Sequence, residues 1–114
     1  MIDGGIEFEG ESVIYLGTTH THRVKGVIDP DSGEYIPDAT VVGTLYDSNY
    51  DAVPGGGFVL NYVPGSDGVY IGRLGADVTR TLEECATYYI NTEFSGPIEA
   101  SPWRTYTAQR MWVL

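Results

Sequence analysis

Few residues of this chain have the means to do chemistry, and each has a plainer role beside the reactive one. His20 and His22 stand two positions apart. On a strand, side chains at i and i+2 point the same way, so two imidazoles could share a metal ion. A site needs a third ligand, which Glu7, Glu9 or Glu11 could supply; without it the pair reads as exposed or partly satisfied histidines on an edge strand. The run DPDSGE at 29–34 begins like a calcium loop. Such a loop needs oxygen ligands at positions one, three and five, glycine at six and glutamate at twelve. Gly33 falls at the fifth position and the later glutamate is missing, so a solvated acidic turn fits better. Cys85 is the one thiol, and its acidic neighbours Glu83 and Glu84 work against a thiolate nucleophile, which leaves a buried structural cysteine as the expectation. No G-x-S-x-G, phosphate loop or zinc signature is present, and the glycine run at 55–57 lacks the lysine and following helix that phosphate binding wants. Acids are so plentiful that no pair stands out as a glycosidase candidate. The expectation is a protein that is not an enzyme and takes no cofactor.

Composition sets the frame for whatever positions these side chains. At 114 residues the chain is expected to form a single domain over 1–114, with 1–19 as an N-terminal arm or edge strand. Hydrophobic residues make up 42% and charged residues 19%, a globular rather than disordered balance. Fifteen glycines and six prolines leave few runs suited to helices, which points to an all-β chain with many turns. The net charge of -10, with the bases Arg23, Lys25, Arg73, Arg80, Arg104 and Arg110 scattered along the chain, argues against nucleic acid and against an anionic membrane surface. A lone cysteine rules out an intramolecular disulfide. The acidic start MIDGGIEFEGE lacks the apolar core of a signal peptide, and no apolar run approaches membrane-spanning length, so synthesis in a cytoplasm is expected.

Along the chain, residues 6–8 and 13–16 (VIYL) read as short strands, and 20–28 as a strand with an irregularity near Gly26. Turn chemistry follows at 29–33 and a break at Pro37-Asp38. Residues 39–47 carry apolar or β-branched side chains on both faces, which suits a central strand. A long connection is expected over 48–57, then a strand at 58–63 with Phe58, Leu60 and Tyr62 inward. Pro64-Gly-Ser-Asp-Gly68 is a hairpin signal, closed by a strand at 69–74 with Tyr70, Gly72 and Leu74 on one face. Residues 75–86 alone have helical character, enough for one turn. Strands follow at 87–94, with Tyr88, Ile90, Thr92 and Phe94 sharing a face, and at 105–114. About seven strands with frequent turns predict an antiparallel β-sandwich of the immunoglobulin or fibronectin-III kind. Leu82 followed six residues later by Tyr88 resembles the tyrosine corner of those sandwiches.

The chain has 9 Tyr, 3 Phe and 2 Trp, more aromatics than the inward positions absorb. Tyr35, Tyr46, Tyr50, Tyr89, Trp103 and Tyr106 are left as candidates for the outside or for loops. Several such rings together, with charges interspersed, suit either a protein–protein interface or a platform for stacking sugars.

The strings ATVVGTLYD, GGFVLNYV and GSDGVYIGRL, with the segment from Leu82 to Tyr89, resemble small immunoglobulin-like structural proteins of tailed bacteriophages, encoded near capsid and head–tail joining genes. The likeness spans 27–94 and brings no catalytic residues with it. It implies a virion component present in several copies at the capsid surface, head–tail junction or tail, made in the host cytoplasm, whose partners are other virion proteins and copies of itself. A carbohydrate-binding sandwich that stacks host-surface glycans on exposed Tyr and Trp is the competing reading.

Overall fold

In the computed structural model, which describes residues 6–111, the chain runs through eight strands and one helical turn. They are β1 (Glu7–Glu9), β2 (Val13–Tyr15), β3 (His20–Lys25), β4 (Thr40–Tyr46), β5 (Ala52–Tyr62), β6 (Tyr70–Leu74), α1 (Ala76–Thr79), β7 (Thr87–Ser95) and β8 (Trp103–Gln109). Their hydrogen-bonded order is β1-β3-β6-β5-β4-β7-β8-β2, a single sheet curled on itself. The fold is all-β and sandwich-like. One layer is β1-β3-β6 with the end of β5, the other is the rest of β5 with β4-β7-β8-β2, and these match the ABED and CFG groupings of the immunoglobulin arrangement. Every pairing is antiparallel except β2 with β8. The linking strand β5 is 11 residues long; its first part pairs with β4, while Asn61 and Tyr62 also pair with β6.

Strand alternation sorts the side chains as period two requires. Val41, Gly43 and Leu45 of β4 and Tyr88, Ile90, Thr92 and Phe94 of β7 are buried between the layers. The interior has two apolar ends: one gathers Ile14, Leu45, Leu74, Leu82, Ile90 and Tyr106, the other Val24, Val41, Leu60, Tyr70 and Phe94. Phe58 packs against both. Its ring fills space left by two glycines, since a Cβ at Gly43 or at Gly72 would overlap it.

The local devices behave as their chemistry requires. Asp29 accepts the Asp31 amide on Oδ1 at 2.9 Å and closes the 29–34 turn. Ser66 Oγ donates to the Val63 carbonyl and accepts the Val69 amide in the β5–β6 hairpin. The Glu83 amide donates to the Tyr88 hydroxyl at 2.8 Å, the bond that defines a tyrosine corner.

Three features differ from the sequence expectation. The connection expected over 48–57 is only 47–51; Pro54 and the glycines at 55–57 lie within β5. They are tolerated because the register with β4 breaks there: Gly57 lies opposite Thr44 and Ala52 opposite Tyr46, so Pro54, Gly55 and Gly56 fall in a bulge without ladder partners, and β6 pairs only with Asn61 and Tyr62. The last strand starts two residues early, at Trp103, and ends at Gln109, with Met111 in a bend; residues 112–114 of the expected strand lie outside the described residues. The expected arm at 1–19 is, within the described residues, the two short strands β1 and β2, which occupy the two ends of the sheet order.

Candidate functional site

Four of the six aromatic candidates come together on the outer face of β4, β7 and β8. Register explains how. Tyr46 lies opposite Tyr89, and one step along, Asn91 lies opposite Trp103. Tyr46 and Trp103 therefore meet diagonally across β7, with ring centroids 5.1 Å apart. The fourth ring comes from the β4–β5 hairpin. Tyr50 stacks on Tyr89, its centroid 4.7 Å away and its plane tilted by 8°, and meets Trp103 edge-on at 5.8 Å. The Tyr50 hydroxyl beside it raises the pKa of the Tyr89 phenol.

The loop that presents Tyr50 is tightly specified. The Tyr50 amide donates to the Asp47 carbonyl and the Asp47 amide to the Asp51 carbonyl, both at 2.9 Å. Asp47 Oδ1 accepts from the Asn49 and Asp51 amides as well. This three-residue loop ends in a left-handed residue, a place that usually takes glycine. Here Tyr50 occupies it at φ 63°, at a cost on the order of 1 kcal/mol. The strained residue carries the most exposed ring of the cluster, 58% accessible, followed by Trp103 at 48%.

The other two aromatic candidates stand elsewhere. Tyr35 is exposed, but its backbone bridges Ile28 in the β3–β4 connection, outside the strands and loop that carry this cluster. Tyr106 is not on the surface at all: it is 1% exposed. Its register partner is Tyr88, and both face inward. The strand has to be read from Trp103 for that parity to emerge. Cys85, expected to be buried, is exposed; it sits at φ 69° in the turn into β7, which swings its thiol outward.

The histidines also depart from expectation. β3 pairs with β6 from His20 to Val24 and with β1 only from Arg23 to Lys25, and both imidazoles pack against Tyr106. His22 is 1% exposed, and both its ring nitrogens are engaged, Nδ1 with the Tyr106 hydroxyl at 3.0 Å and Nε2 with Thr92 Oγ1 at 2.8 Å. Arg104, which can only donate, approaches the Tyr106 oxygen at 3.5 Å and gives N–H groups to the Glu9 and Gly10 carbonyls at 3.0 and 2.7 Å. A donor at the Tyr106 oxygen favours the tautomer in which Tyr106 donates to His22 Nδ1 and His22 Nε2 donates to Thr92. Burial, then the neighbouring His20 and Arg104, push the His22 pKa down to about 3. Burial and Arg104 push His20 down to about 4. His20 Nε2 has no hydrogen-bond partner among the described residues. With His22 fully engaged, the pair cannot serve as two metal ligands, and no group of three or more His, Cys, Asp or Glu among the described residues is placed to hold a metal.

Thr92 and Arg104 carry this interior network, and sequence reasoning missed both. The signal for Thr92 was its place on the inward face between Ile90 and Phe94, where a polar residue needs a partner. The chain matches no known protein family, and a comparison with characterised proteins finds no match.

Proposed function

We propose that this protein is a non-enzymatic assembly module, a repeated structural component of a tailed-phage virion that assembles with partner proteins and other copies and meets a partner protein through the outer face of β4, β7 and β8. The observation that carries this reading is the cluster of Tyr46, Tyr50, Tyr89 and Trp103, with Tyr50 held in a left-handed conformation that brings its ring onto Tyr89. Large rings with few rotatable bonds, gathered at one spot, are the usual anchors of protein interfaces. The strand ends of the sheet offer less: β1 and β2 are three residues each, too short to template a long added strand.

Sugar stacking wants ring faces open in a flat array. Here Tyr50 covers the face of Tyr89, and the Tyr50 and Trp103 planes stand at 80°, which favours a protein partner over a glycan. The test is particle composition. Tyr50→Ala combined with Trp103→Ala should leave the soluble domain folded and remove it from purified particles. Particles that contain no stoichiometric copies of the natural chain, or that incorporate the double variant normally, would sink the reading.

A further inference from the structure

We infer that this face recognises arginine side chains on a loop or extended segment of a different protein. The inference rests on the assembly reading above and specifies the chemistry of its partner. The first support is the distribution of charge. No Lys or Arg occurs between Lys25 and Arg73, or between Arg80 and Arg104. Those two intervals supply all of β4, β5 and β7, the 47–51 loop and the β7–β8 turn. Arg104, on β8, is turned inward onto the Glu9 and Gly10 carbonyls. Of the other bases, Arg23, Lys25 and Arg73 belong to the opposite layer, on β3 and β6, Arg80 ends α1, and Arg110 follows β8, where it pairs with Glu84. The strands β4, β5 and β7, their 47–51 loop and the β7–β8 turn thus carry no Lys or Arg although the chain has six bases.

Carboxylates border the same face. Asp47 and Asp51 flank Tyr50 in its loop, with Asp51 exposed. Glu93 projects from β7 two residues beyond Asn91, on the side shared with Tyr89. Together with Glu99 it lines a groove at the β7–β8 turn, shared with Ser95 and Ser101. Exposed Val59, paired with Val42, gives the face an apolar strip beside Glu93.

A guanidinium is the group that satisfies all of these at once. It is planar and weakly hydrated, stacks on an aromatic ring, and forms paired hydrogen bonds to a carboxylate. A phosphate backbone is repelled by the same acids. A second copy seated by two-fold symmetry on this face would set carboxylate against carboxylate, because such an interface is self-complementary. A partner with arginines spaced to reach both the Tyr50–Trp103 corner and the Glu93–Glu99 groove meets neither objection.

The test uses the full chain and a blocked pentapeptide, Gly-Arg-Ser-Arg-Gly, beside the same peptide with citrulline in place of arginine. Backbone amide and indole NMR shifts are followed on titration. The arginine peptide should move Tyr46, Tyr50, Tyr89, Glu93 and Trp103, and the citrulline peptide should bind about tenfold more weakly, because it keeps the shape and loses the charge. Equal binding by the two peptides, or shifts spread over all acidic surfaces, would overturn the inference. Particle incorporation separates the two proposals. If Tyr50→Ala with Trp103→Ala prevents incorporation while Glu93→Gln with Asp51→Asn does not, assembly through this face stands and arginine recognition falls. If neither pair has an effect, the assembly reading falls as well.

Discussion

Tyr88 and Tyr89 are neighbours in β7, and Trp103 and Tyr106 share β8, yet the two faces of this pair of strands use their rings in opposite ways. Inside, Tyr106 is 1% exposed and its hydroxyl is one link in a chain of donors from Arg104 through His22 to Thr92. Outside, Tyr50, Tyr89, Tyr46 and Trp103 touch one another by their rings, and the loop bonds behind Tyr50 are all made by backbone or by Asp47. Around His22 the polar groups of the inner cluster are matched, so its value lies in holding the layers together. The outer cluster gathers exposed ring area that the folded chain does not need. Residue type alone does not separate them; strand parity does.

Truncating a ring on each face should break this contrast open most widely. Tyr106→Ala removes a buried ring and leaves His22 Nδ1 without its donor, so it should cost about 3–5 kcal/mol in urea unfolding, while Tyr89→Ala should cost under about 1 kcal/mol. Comparable losses at both positions would mean that the outer rings are part of the fold.

Between pH 7.5 and 5.0, acid should act on the histidines of the inner cluster. The unfolded chain takes up protons on His20 and His22 near pH 6.5, whereas the folded chain resists until about 4 and about 3 respectively. The lowered folded values mean that stability is complete above pH 6.5 and declines as pH falls below it. For each histidine the slope approaches 1.4 kcal/mol per pH unit, giving about 2 kcal/mol from His22 and about as much from His20, roughly 4 kcal/mol together, lost between pH 7.5 and 5.0. Unfolding measured at both values checks this, and a flat profile would contradict the buried, neutral state of the ring. Ring contacts at Tyr50 and Trp103, reported by indole fluorescence, should stay unchanged over the same range while the domain remains folded.

The smallest expected effect sharpens the outer side. Tyr50→Asn places a residue that tolerates the left-handed region where Tyr50 now sits at φ 63°. Relief of strain and loss of the Tyr89 stack oppose each other, so stability should change by no more than about 1 kcal/mol in either direction. Particle incorporation should fall regardless.

Much of the architecture could be read from local pattern. The alternation in β4 and β7, the 29–33 turn, the β5–β6 hairpin and the Leu82–Tyr88 corner are each set within a dozen residues. What could not be read depends on which strand lies beside which. Tyr106 reads as free for the surface until its register with Tyr88 is known. His20 and His22 read as an exposed pair until β8 and β7 are seen to bring Tyr106 and Thr92 against them from the other layer. Pro54 and its glycines look like loop because the register with β4 slips between Thr44 and Tyr46 and leaves Pro54, Gly55 and Gly56 in a bulge, beyond the reach of β6. The site was legible as a list of candidate rings, four of which converge. Their meeting at Tyr89 is a matter of cross-strand register that no single segment encodes.

The parallel pairing of β2 with β8 has a mechanical consequence. Thr107 donates its amide to the Ser12 carbonyl at 3.1 Å, and Leu16 donates to Gln109 at 2.8 Å, so the two strands are bonded at both ends of the contact. Because they run in the same direction, a pull applied ahead of Val13 and beyond Gln109 draws them past each other lengthwise. All the bonds along the seam then carry the load together, as rivets do in a lap joint, instead of opening one by one as in a hairpin peeled from its turn. A module strung between neighbours through those two points would resist extension most strongly along its own chain direction.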